Sequence, residues 1–226
     1  MTSGTGLFSK AIAKRASILR GGGIPAEVLD VREDVKEALL PLAPFVLSEF
    51  LDAPTAAPTA LASGVTMAVA GVTLRTSQLG ATALTQLATN PRNLTFTTAG
   101  TTAADAPTQA TVVGSWNGNP QTETVTLAQT ATMAAGAKPF STITSIEFGP
   151  ADGTNAIVSV GFGASLGLAA KPYLLQTLPV VLREVVGATL AATAGTLTTE
   201  GLYTPSTAPN GTNDYSIVYL ADGSSF

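Results

Sequence analysis

Histidine and cysteine are absent from all 226 residues, and tryptophan occurs once. Without cysteine there is no disulfide, thiolate metal site or thiol nucleophile, and without histidine the usual general base near neutral pH is missing. Charge is scarce as well, at 12% of residues. Beyond Asp52 the only bases are Arg75, Arg92, Lys138, Lys171 and Arg183, set against Asp105, Glu123, Glu147, Asp152, Glu184, Glu200, Asp214 and Asp222. Apolar stretches such as residues 178–182 and 157–160 fall far short of the roughly 20 residues of a membrane-crossing helix. A net charge of −4 offers no clustered Lys and Arg to neutralise phosphates, so neither nucleic acid nor membrane is expected as a partner. No charged segment followed by an apolar run opens the chain, and no secretion signal is expected.

What the chain does contain is Ala, Thr, Gly and Val in quantity, with 45% hydrophobic residues, enough for a sizeable core. Residues 1–24 read as a basic arm without an acidic residue, ending in the Gly21-Gly22-Gly23 hinge. Leu7, Phe8, Ile12, Arg15, Ile18 and Arg20 are its candidate contact residues, the apolar ones near helical spacing and the arginines placed to pair with acidic groups on a neighbour. A basic amphipathic helix on a membrane, or a targeting peptide, is the alternative for the same pattern. Residues 25–52 read as a helical segment, because Val28, Val31, Val35, Leu39 and Leu42 recur at steps of three and four opposite Arg32, Glu33, Lys36 and Glu37. Pro41 and Pro44 should interrupt it, Pro44 opening a second short helix through Phe50. Residues 53–62 are then a linker.

From about residue 63 to 226 the period becomes two. Thr122, Thr124 and Thr126 alternate with Glu123, Val125 and Leu127, and Tyr215, Ile217 and Tyr219 alternate with Ser216, Val218 and Leu220. Asn117-Gly118-Asn119-Pro120 between two such runs predicts a hairpin, since Asn and Gly accept the positive φ of a tight turn. Further strands are expected near 65–74, 92–98, 140–148, 155–162, 178–186 and 195–204. The expected fold is mainly β, a β-sandwich or jelly roll carrying the N-terminal arm and the short helical segment. Thr-rich strands with few charges expose sheet edges that Lys and Glu do not blunt, so coverage by neighbouring chains is expected.

Motifs for chemistry are thin. Gly163-Ala164-Ser165-Leu166-Gly167 matches a nucleophile elbow, yet no histidine exists to activate Ser165, leaving only Lys138 or Lys171 as a formal base. A Gly-rich strand or bend explains the glycines equally well. Gly161-Phe162-Gly163 lacks the third glycine of a dinucleotide loop at its proper spacing. Asp152, Asn155, Asn210, Asn213 and Asp214 are oxygen donors on turns but lack the spacing of a calcium loop, and Asx turn chemistry accounts for them. The eight carboxylates beyond Asp52 could include a glycosidase pair, although Trp116, beside the hairpin turn, suits packing better than sugar stacking. No catalytic, cofactor-binding or metal residue is assigned. The chain is expected to act without a cofactor and not as an enzyme, a carbohydrate-active or hydrolytic β-domain being the rival.

The runs Pro91-Arg92-Asn93-Leu94-Thr95, Asn117-Gly118 into Thr122-Glu123-Thr124-Val125-Thr126-Leu127, and Lys138-Pro139-Phe140-Ser141-Thr142-Ile143-Thr144-Ser145-Ile146 resemble structural proteins of tailed-bacteriophage virions. Val158 to Gly163, Leu166-Gly167-Leu168 and the ending from Tyr203-Thr204-Pro205 through Ala208-Pro209-Asn210-Gly211 to Asp214-Tyr215 are similar too, so the likeness covers roughly residues 90–168 and 202–220. Such proteins serve as capsid decoration or cement proteins, head fibres, or neck and tail components. The resemblance implies a structural protein in the virion, most naturally a decoration protein, whose partners are the major capsid protein, other virion proteins and further copies of itself. It carries over no active-site residue.

Overall fold

A computed structural model describes residues 45–100, 105–129, 132–153, 155–175, 178–179 and 181–222. The arm, the stripe at residues 28–42 and the candidate contacts Leu7, Phe8, Ile12, Arg15, Ile18 and Arg20 lie outside the described residues.

The described chain is mainly β. In order it forms β1 (Phe45–Phe50), β2 (Ala57–Thr66), β3 (Val72–Arg75), the helix α1 (Ala81–Thr89), β4 (Arg92–Gly100), β5 (Gln109–Trp116), β6 (Asn119–Thr126), β7 (Met133–Ala135) and β8 (Thr142–Phe148). There follow β9 (Ala156–Gly167), β10 (Leu174–Leu175), β11 (Leu178–Pro179), β12 (Val181–Val186), β13 (Thr189–Leu190), β14 (Thr196–Leu197), β15 (Leu202–Thr204) and β16 (Tyr215–Leu220). Three larger sheets result, all with antiparallel pairing. A long sheet runs β14-β15-β9-β4-β7 with β2 also on β9, a cover sheet runs β3-β8-β5-β6, and a closing sheet runs β1-β16-β12-β13.

Alternation decides which faces meet. Leu94 and Phe96 on β4 and Val158, Val160 and Phe162 on β9 point from the long sheet toward Val112, Ile146 and Phe148 of the cover sheet, making one buried cluster. Phe96 and Phe148 meet edge to face, centroids 6.1 Å apart, an arrangement that aromatic quadrupoles favour. This is the sandwich, and α1 joins it through Ala83 and Leu87. A second cluster forms where Leu166 and Leu168, at and just past the end of β9, meet Phe50, Tyr203, Tyr215, Ile217 and Tyr219. Within it the Tyr219 hydroxyl accepts from Ala170 N–H at 2.8 Å and donates to the Ala170 carbonyl at 3.0 Å. Strand β9 thus serves both cores. Gly161 is required within it, because a Cβ there would fall 1.9 Å from the Ala57 carbonyl oxygen of the adjoining β2.

The hairpin at Asn117-Gly118 forms as its sequence predicts, with φ of 49° and 79° closing β5 on β6 in full register. Pro120 is tolerated because β6 is the outer strand of the cover sheet. Two boundaries differ from expectation. Residues 45–50 are a strand and not the short helix that Pro44 was expected to open, since Phe45 to Phe50 pair without a break against Leu220 to Tyr215. Long-range pairing of a Phe- and Val-rich segment overrides the helical reading. The expected linker at 53–62 likewise enters β2 at Ala57. Helix α1 has no counterpart in the sequence reading.

Candidate interaction surface

The closing sheet has one face in the second core and one facing away. Register assigns them: Glu184 opposes Ile217, both buried, while Arg183 opposes Val218 and Val185 opposes Ser216 on the far side. On β1 the same outer row holds Phe45, Leu47 and Glu49, opposite Leu220, Val218 and Ser216. A register shift between Val181 and Arg183 turns Leu182 outward as well, and Leu190 of β13 pairs with Val185. The outer face is therefore Phe45, Leu47, Leu182, Val185, Leu190, Val218 and Leu220 with a single acid, Glu49, and a single base, Arg183. Four of these apolar side chains are well exposed: Phe45 at 41%, Leu47 at 52%, Leu182 at 43% and Leu190 at 57%. A contiguous apolar sheet face in contact with water marks a contact site for another surface. Among the described residues β1 also leaves one edge unpaired, and that edge carries only Glu49 as a charge.

The remaining polar groups are occupied with holding loops. Glu184 on β12, 1% exposed, accepts hydrogen bonds from Gly195 N–H at 2.7 Å, the Tyr203 hydroxyl at 2.7 Å and Ser206 N–H at 3.0 Å. Burial, then the adjacent Glu184 carboxylate, pushes the Tyr203 phenol well above its ordinary range. Beside this clamp lies a shallow, uncharged depression of about 610 Å³ lined by Thr189, Leu190, Thr193, Ser206, Thr207 and Asn213. Glu123 on β6 accepts from Ala137 N–H, and burial raises its pKa, backbone donors at Ala137 and Lys138 pulling the other way. Arg92 is buried at the start of β4, donating to the Gly163 and Pro54 carbonyls and stacking 5.6 Å from the Phe162 ring centre. Burial lowers its pKa to about 10.

Ser165 lies within β9 and not on an elbow, its hydroxyl 2.8 Å from that of Thr204 across the sheet. Trp116 is a packing anchor: 5% exposed, it donates its indole N–H to the Leu168 carbonyl at 2.9 Å. Its ring presses on Gly201, where a Cβ would fall 2.4 Å away. Asn210 caps its own turn, accepting from the N–H groups of Thr212 and Asn213 at 3.0 and 2.9 Å. Among the described residues no three carboxylates come together as metal ligands would. The apolar sheet face was missed from sequence, because it depends on β1 being a strand and on Leu182 sitting at an irregularity. The usable signal was the alternation of Phe45, Leu47 and Glu49 with Val46, Ser48 and Phe50.

No protein-family model matches the chain, and no curated protein or solved structure matches it.

Proposed function

We propose that this chain is a non-enzymatic structural protein of a tailed-phage virion, a capsid decoration or cement protein that stabilises the shell through contacts between subunits. The observation that carries the reading is the exposed apolar face of the closing sheet on a body with few charges. Such a face is costly in water and favourable when covered. The polar groups described above support the same reading, since Glu184 and Arg92 tie backbone segments together and Ser165 pairs with a neighbouring hydroxyl. In this reading the arm adds a second contact, with Leu7, Phe8, Ile12 and Ile18 as apolar anchors and Arg15 and Arg20 meeting acidic shell residues. Many identical weak contacts on one shell reinforce each other through effective concentration.

Quantitative mass spectrometry of purified virions tests this. A copy number scaling with the major shell protein supports decoration, and a number fitting a single ring moves the protein to the neck or tail. Its absence from particles refutes the assignment.

A further inference from the structure

The closing-sheet face is chemically self-complementary, and its two charges are placed for a two-fold axis. Strand β16 lies between β1 and β12, so Glu49 and Arg183 stand on opposite sides of it, about 10 Å apart across two strand spacings. Along the strands they are one outer-face row apart, Glu49 level with Ser216 and Arg183 level with Val218. Among the described residues neither makes an ion pair. A half turn about an axis running along β16 in the plane of the face sets β1 of one copy over β12 of the other. Each Glu49 then comes over the row of Val185, one step from the facing Arg183 and within reach of its guanidinium. Val218 and Leu220 stack on their counterparts along the axis. Phe45 and Leu47 cover Leu182 and the aliphatic stem of Arg183.

We propose that this face binds a second copy of the chain, closing an isologous dimer in which Glu49 of each copy pairs with Arg183 of the other. The proposal deepens the reading of the chain as a contact protein by naming one contact and its occupant. Charge placement favours a second copy over an unrelated surface, because a half turn brings one acid and one base on either side of a central strand within reach of their opposites on the other copy. Area sets the strength. Three strands of six residues and the two-residue β13 give a footprint of roughly 300 Å² per copy, well under half of what a standard interface contributes per partner. The dimer is accordingly weak alone and depends on concentration, as on a crowded shell.

The test is a charge-reversal cycle on the full-length protein, followed by sedimentation velocity across a wide concentration range. Glu49→Arg and Arg183→Glu are both exposed substitutions and leave the fold intact, which circular dichroism checks. The wild type should dimerise reversibly. Each single reversal places like charges across the interface twice and should weaken the dimer by about tenfold or more, with the double variant restoring it. A wild type monomeric up to about 1 mM, a concentration where even a very weak complex would show, overturns the proposal. So does a dimer indifferent to both reversals. Loss of shell binding by Glu49→Arg without any self-association would give the face to the shell instead. Absence of the protein from virions with the charge cycle intact would sink the virion reading and leave the dimer standing.

Discussion

Glu184 carries three donors on one buried carboxylate, and two of them are backbone amides on either side of the β14–β15 hairpin. Removing the acceptor strands Ser206 N–H and the Tyr203 hydroxyl proton, while Gly195 N–H keeps the Tyr203 hydroxyl oxygen at 2.7 Å as an acceptor. Glu184→Ala should therefore cost about 2 kcal/mol, at the low end of roughly 1 to 3 per stranded group, and lower Tm by several degrees in a thermal melt. Tyr203→Phe, which removes one donor and leaves the Gly195 and Ser206 amides on Glu184, should cost about half as much. Glu123 makes the stability depend on pH. Its pKa in the fold is raised by burial above the 4.5 of a free carboxyl, so the folded chain keeps the proton to higher pH than the unfolded one. Its contribution to stability is greatest below about pH 4.5 and declines as pH rises through the raised value. Lys138 offsets part of this and Glu200 adds to it. Glu123→Gln should remove the decline: its Tm relative to the wild type should climb as pH is raised from 4 to 7, and a constant difference would contradict the assignment. None of this was visible in sequence. Glu123 and Glu184 read there as members of a charge count, and Arg92 as part of a Pro-Arg-Asn run, because burial of a polar side chain is set by strands far away in the chain.

At the scale of elements, short-range chemistry was legible and long-range pairing was not. Asn117-Gly118 announced its hairpin because positive φ is a local demand, and Tyr215 to Leu220 announced β16 through strict alternation. The strand β1 escaped because its partner lies at the other end of the chain, and α1 because Ala81 to Thr89 shows only a weak apolar stripe between Gly80 and Asn90. Two glycines separate the local demand from the tertiary one. Gly118→Ala meets nothing within 4 Å and should cost only the left-handed backbone, about 1 kcal/mol. Gly201→Ala carries the same backbone cost at φ +86° and also drives a Cβ into the Trp116 ring, so it should lose at least twice as much. Chemical denaturation of the two variants checks the ratio. Equal losses would mean that Trp116 moves freely aside and does not anchor β5 to the loop before β15.

For the whole molecule, the mainly β class was readable from period and punctuation, whereas the face through which it would act was not. Composition could say that charges are few, but only the register of β1, β16 and β12 gathers Phe45, Leu47, Leu182, Val218 and Leu220 on one side of a sheet. A cement protein adds buried surface across boundaries that a bare shell leaves weak, and its effect is mechanical: shells holding it resist heat better than shells without it. Particles assembled without the protein, then incubated with purified full-length chain or with a chain lacking residues 1–23, can be heated while genome release is followed by dye fluorescence. The full-length chain should raise the release temperature in proportion to its occupancy, and the shortened one, though folded, should bind poorly and raise it little. A full-length chain that occupies the particles and leaves the release temperature unchanged would contradict the cement role.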